Sequence, residues 1–215
     1  MTTMKQLNLT RLLCAAAVLA IVTAAAPLAQ VGKSQGVMDV NTMSESELAV
    51  LPNLTPAIAK ALAAKRPFLS ITDLNAFLLG QGLTAEQAMA VYPKAFVHIN
   101  LNTATPEEII LVPGAGPRMV REFPEYRPWK TWAQFDREIG KYLGRGDVGA
   151  ANAQKLAQYT FIPMNANAAG DADLMTVPGA TPAWVTKFKA GRPYKAAADI
   201  EKTAGKANAR FFVVE

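Results

Sequence analysis

The sequence predicts an all-α chain: three tandem copies of one helical unit behind an N-terminal leader. Three observations carry that prediction. A shift of 61 positions lays Asn41-Thr42 on Asn102-Thr103, Leu51-Pro52 on Val112-Pro113, and Arg66-Pro67-Phe68 on Arg127-Pro128-Trp129. A further shift of 65 brings Asn167, Val177-Pro178-Gly179-Ala180, Pro182 and Arg192-Pro193-Tyr194 onto the same columns. Second, helix-start signatures recur at matching places, and third, each first helix runs into a Pro-containing bend of small residues. Self-similarity at a fixed period marks one structural module used repeatedly. The boundaries read as a leader over 1–29, a lead-in over 30–37, and units over 38–98, 99–163 and 164–215.

The middle unit shows the local physics most clearly. Thr105 is an N-cap residue, Pro106 sits where a missing N–H costs nothing, and Glu108 completes a capping box. The expected first helix spans about 106–112, with Ile109, Ile110 and Val112 turned inward. Pro113 stops it, and Gly114-Ala115-Gly116 reverses the chain with glycines free to take positive φ. Pro117 then opens a second helix that runs to about Tyr126. With almost no side chains in the bend, the N–H groups of Gly114, Ala115 and Gly116 are expected to point outward. A helix N-terminus of that kind favours an anion.

The other segments follow in order. Met1 to Ala29 has Lys5 and Arg11 ahead of an apolar run from Leu12 to Ala26 and then small residues, the pattern of a secretory signal. The run is short for a membrane span, although Pro27 and Leu28 would lengthen it toward an uncleaved anchor. Cys14 is the only cysteine, so the mature chain has no disulfide framework. In the first unit Ser44-Glu45-Ser46-Glu47 forms a capping box. Its bend, Asn53-Leu54-Thr55, lacks both glycines, and Asn tolerates the left-handed conformation. Ser70 and Thr84 head a third and fourth helix, and 95–99 reads as extended. The second unit continues with a helix carrying Trp132, Phe135, Ile139 and Leu143, then Gly144-Arg145-Gly146. The third unit is eroded: Gly170 replaces the capping hydroxyl, one glycine survives at 179, and 211–214 reads as an extended apolar end.

The middle unit resembles a helix-hairpin-helix module of the ComEA type, through Leu101-Asn102-Thr103-Ala104, Pro106-Glu107-Glu108-Ile109 and Val112-Pro113-Gly114-Ala115-Gly116-Pro117. The outer units share mainly the first hairpin. The resemblance implies three helix-hairpin-helix (SAM-like, ComEA-like) repeats. It also implies sequence-independent binding of double-stranded DNA through hairpin N–H groups and the phosphate backbone. Gly114, Ala115 and Gly116 would supply the amides, and Arg118 and Arg121 the side-chain charge. Glu122 and Glu125 on the same helix dilute that field. The second hairpin departs from the family pattern, having Gln81 or Arg145 between its glycines where an aliphatic residue is usual.

Without Lys5 and Arg11 the chain carries 20 basic and 17 acidic residues, a net charge of +3 and only a mild bias toward polyanions. The recurring Arg-Pro-aromatic invites base stacking, yet a structural reading fits better. The arginine suits a helix C-terminal dipole, proline stops the helix, and Phe68, Trp129 or Tyr194 fills the core. Asn41, Asn102 and Asn167 read as turn residues, and His98 as a residue of an apolar segment. No Cys/His pair, metal-ligand cluster or Walker-type loop is present, so the sequence assigns no catalytic residue, metal, cofactor or small-molecule substrate. Two functions stay open: a secreted or periplasmic DNA-binding protein, with a role in DNA uptake, and a non-catalytic scaffold for a protein partner in the cell envelope. With linkers absent, the units are expected to pack as one elongated array.

Overall fold

A computed structural model describes residues 36–215; the leader over 1–29 and residues 30–35 of the lead-in lie outside the described residues. The chain is mostly helical. Its elements run β1 (Met38–Asp39), α1 (Glu45–Ala49), α2 (Pro56–Lys65), α3 (Ile71–Gly80), α4 (Ala85–Met89) and β2 (Ala95–Phe96). The same order follows in β3 (Ile99–Asn100), α5 (Pro106–Ile109), α6 (Gly116–Glu125), α7 (Trp132–Leu143), α8 (Asp147–Ala157) and β4 (Thr160–Phe161). It recurs in β5 (Met164–Asn165), α9 (Asp171–Leu174), α10 (Pro182–Ala190), α11 (Ala197–Ala204), α12 (Lys206–Ala209) and β6 (Phe212–Val213). Each opening strand pairs in parallel with the closing strand of the same segment: Met38 with Ala95, Ile99 with Thr160, and Met164 with Phe212. The four intervening helices serve as the crossover that a parallel pair requires.

Most helices begin where a hydroxyl can accept one of their orphan N–H groups. Ser44, Thr84 and Thr105 form full capping boxes with Glu47, Gln87 and Glu108. Ser70 and Thr131 cap α3 and α7. Gly170 has no hydroxyl to offer, and there the Asp173 carboxylate accepts the Gly170 N–H at 3.2 Å.

The repeated asparagine and the repeated Arg-Pro-aromatic turn out to be two halves of one clamp. Asn102 Nδ2 donates to Trp129 O at 3.0 Å, and Trp129 N–H donates back to Asn102 Oδ1 at 2.6 Å. Asn41 grips Phe68 in the same way (2.9 and 2.8 Å), and Asn167 grips Tyr194 (3.0 and 2.7 Å). The side chain two residues earlier (Asp39, Asn100 or Asn165) accepts the N–H of that asparagine and fixes its turn. The aromatic residues are core, 3%, 1% and 3% exposed at Phe68, Trp129 and Tyr194. Trp129 Nε1 and Tyr194 OH each donate to the carbonyl six residues back, on Phe123 and Phe188, so the buried polar tips are satisfied. The arginines differ from expectation. Arg127 follows the end of α6, but its side chain does not bond that helix. Its Nε donates to Leu101 O at 2.8 Å and its Nη2 to Ala104 O at 2.6 Å, lacing the turn before α5. Arg192 repeats this on Ala166 O and Ala169 O, whereas Arg66 Nε and Nη2 are buried without a hydrogen-bond partner among the described residues.

The expected elongated array is not what the chain forms. Arg210, near the end of the third segment, donates from Nη2 to Asp39 Oδ2 at 2.8 Å and from Nη1 to the His98 carbonyl. His98 Nδ1 lies 3.5 Å from the same Asp39 oxygen. The reason lies in the junctions. Only Val97-His98 separates β2 from β3 and only Ile162-Pro163 separates β4 from β5, and Val97, His98 and Ile162 are all buried. Strand ends from all three segments therefore converge, and a carboxylate buried there requires a cation.

α7 and α8 make the closest helix contact. A Cβ added at Gly149 would stand 2.3 Å from Gly140 O and 2.6 Å from Gly144 O, so only glycine permits this approach of two backbones. Gly149→Ala is expected to cost about 1–3 kcal/mol by overpacking. Gly80→Ala, which adds a Cβ into open space, serves as the near-neutral control in the same denaturant titration.

Asp39 supplies a pH signature. Burial alone would raise its pKa, but the His98 contact, the Arg210 charge and the Asn41 N–H outweigh burial and hold it below the ordinary carboxylate value. The stability it contributes is therefore complete above that ordinary value and is lost as pH falls through the depressed one. Asp39→Asn should lower unfolding stability at pH 7 by about 3 kcal/mol. Denaturant titrations of the two proteins should converge only in strong acid, below the usual carboxylate range.

Candidate nucleic-acid interface

The bend between α5 and α6 is built from the capping box downward. α5 is shorter than expected, ending at Ile109, and a run of turns carries the chain to Pro113. Gly114 and Gly116 take φ of +84° and +63°, the left-handed conformation that lets the chain reverse within three residues. Ala115 N–H donates to Val112 O at 3.0 Å, and the residue is buried. Of the three amides expected to face a ligand, Ala115 is therefore excluded, because closing the turn consumes it. Gly114 is exposed and Gly116 half-buried, and neither N–H has an acceptor among the described residues. α6 starts with no side-chain cap and no acid in its first turn.

The same column reads differently in the outer segments. Thr55 and Thr181 stand where Gly116 stands. Each accepts an N–H of its own helix, from Ile58 at 3.3 Å and from Trp184 at 3.2 Å. Those helix starts are closed internally. Asn53 holds the first bend open at φ 62°, as expected of an asparagine, and donates through Nδ2 to Gln87 O at 3.2 Å. In the third bend, the position of a Cβ on Gly179 lies 3.2 Å from Thr42 Cγ2 of the first segment. The middle bend thus combines two unengaged glycine amides with an uncapped helix start.

The two arginines occupy different environments. The Arg118 guanidinium lies over the Tyr142 ring, 4.5 Å from its centroid, with Nε 3.7 Å from Glu122 Oε1. Its side chain is still 57% exposed. Tyr142 OH and Tyr126 OH share a hydrogen bond of 2.7 Å, and Lys141 Nζ rests 4.4 Å from the Tyr126 centroid while bridging to Glu138 at 2.9 Å. The Tyr126 contact, and then Glu138, hold the Lys141 ammonium above its ordinary pKa. This network braces α6 on α7 and fixes Arg118 in place. Glu122 is buried in that seam, whereas Glu125 and Arg121 are exposed.

A basic residue that the sequence reading did not single out borders the bend. Pro113 and Gly114 line a groove of about 350 Å³ together with Asn152, Lys155, Leu156 and Gln158 of α8 and its end. Lys155 Nζ donates to Asn152 Oδ1 at 3.0 Å, which orients the ammonium. No local motif marks Lys155; only its i, i+3 spacing from Asn152 on a helix hints at an oriented side chain. At the second bend of this segment, Arg145 is exposed and α8 begins uncapped at Gly146, but Asp147 in its first turn already complements the helix dipole. His98 is buried beside Asp39, away from this bend, and among the described residues no group of three His, Cys, Asp or Glu gathers as around a metal ion. Comparisons with family models, curated proteins and solved structures return no match.

Proposed function

We propose that the chain is a ComEA-like helix-hairpin-helix repeat protein that binds double-stranded DNA without sequence preference, through the phosphate backbone, at the middle hairpin. One observation carries the reading. Of the three aligned bends, the middle one starts its second helix without a side-chain cap, because glycine stands where the others have a threonine whose hydroxyl accepts a first-turn N–H. The donors at 114 and 116 lie in the bend, the exposed Arg118 and Arg121 follow on α6, and Lys155 shares the lining of one groove with Gly114. Such a site suits a tetrahedral anion on a mobile chain. It offers no base-edge readout, so affinity without sequence preference follows. A secretory leader over 1–29, cleaved or kept as an anchor, would put this activity in the periplasm or outside the cell; DNA uptake is a role consistent with that location.

The second reading is a non-catalytic scaffold docking a protein partner in the cell envelope. The internally capped outer helices and the seating of Gly179 against Thr42 favour it. It requires no nucleic acid.

Gel-shift titration with a short duplex separates the two. A site engaging two or three phosphates predicts a log–log salt slope of roughly −2 to −3. Arg118→Glu/Arg121→Glu should abolish the shift, and Gly116→Thr, which copies the outer bends, should weaken it with the arginines intact. Absence of a shift at low salt, or a shift indifferent to these changes, would leave the scaffold.

A further inference from the structure

The buried apolar side chains fall into two clusters. One runs from Val37 to Ile162 and unites the first two segments; the other joins the third segment to Phe161. The apolar core of the third segment therefore reaches the second through Phe161, which meets Phe211 edge to face with centroids 4.7 Å apart. On its other side it meets the first segment through polar groups and through the seating of Gly179 against the Thr42 methyl. Arg210 follows the four-residue α12 and is spread over three acceptors: Nε on Ala207 O at 3.0 Å, Nη1 on His98 O, and Nη2 on Asp39 Oδ2 at 2.8 Å. Its guanidinium lies against the edge-to-face pair of Phe211 and Phe161, with centroids 4.4 and 5.7 Å away. Arg66 and Glu108 add weaker fields at Asp39 and Arg210 respectively.

These contacts differ in kind. Apolar burial gives a steady, non-directional attraction, whereas a buried ion pair holds only while both partners remain and is replaced by hydration once it opens. Separate cores within one chain meet like transient interfaces, with relative motion the default. We propose that the third segment is a hinged flap. It pivots about Phe161 and Ile162-Pro163, is latched to the first segment by Arg210 on Asp39, and opens while the first two segments stay folded. Opening presents the Asp39 carboxylate and the His98 ring to solvent. Both are buried in the closed form, where neither ring nitrogen has a hydrogen-bond partner among the described residues. The flap does not depend on DNA binding and stands or falls separately from it.

Native-state hydrogen exchange on the full chain, read by peptide mass spectrometry, tests the flap. In the unaltered protein, amides of α10 and α11 should exchange at least about tenfold faster than those of α3 and α7, the mark of a sub-global opening. Arg210→Ala should accelerate α10 and α11 by a further factor of about ten, with α3 and α7 still exchanging at least about tenfold more slowly than they do, and Arg210→Lys in between. Asp39→Asn should accelerate α10 and α11 at least as much, and the double change should add little to the larger of the two effects. Equal exchange throughout the unaltered chain would overturn the flap. So would α10 and α11 rates that Arg210→Ala leaves unchanged, or a variant in which all segments unfold together.

Discussion

One asparagine amide, repeated three times, holds the architecture together. At Asn41, Asn102 and Asn167 the carboxamide offers a donor and an acceptor to the backbone of an aromatic residue 27 positions later. That pair of bonds ties the entry of each segment to the end of its second helix. It places the aromatic ring over the core and leaves the intervening bend to project from a fixed base. An amide satisfied on both sides in a half-buried site is costly to replace, since losing it leaves a backbone N–H and C=O unpaired. The arginine beside it adds two further bonds to the same turn in the second and third segments.

With the base held this way, the bend itself is free to vary, and the three copies have used that freedom differently. Thr55 and Thr181 turn their hydroxyls onto their own helices. Gly116 has nothing to turn. A single column thus separates closed helix starts from an open one while the surrounding frame stays the same. The convergence of the strand ends imposes a second constraint, because it buries Asp39 and draws Arg210 across from the opposite end of the chain.

Much of the fold was legible because its signals are local. Ser44, Thr84 and Thr105 announced their helices through spacing to Glu47, Gln87 and Glu108, and Gly114 and Gly116 announced a reversal that needs positive φ. Asn41 and the Arg66-Pro67-Phe68 motif were visible as recurring residues, but their partnership was not. It spans two helices, and a turn asparagine looks the same whether its side chain faces water or a distant backbone. The parallel pairing of two-residue strands was equally hidden, although 95–99 and 211–214 read as extended. The layout of the segments was misjudged for a related reason. Absent linkers suggested a line, whereas burial of Val97, His98 and Ile162 bends the junctions inward. At the bend, Ala115 looked like a third open donor until the Val112 carbonyl claimed it. Lys155 gave no sign, because only the fold brings α8 beside Gly114.

The account of function rests on two unengaged amides, and they can be observed directly. Backbone ¹H–¹⁵N shifts recorded while a short DNA duplex is added at low salt report each N–H individually. The Gly114 and Gly116 resonances should move and saturate together, Ala115 and Gly179 should hardly respond, and added salt should reverse the change. Duplex binding that leaves Gly114 and Gly116 in place, or moves a different surface, would contradict the proposed interface.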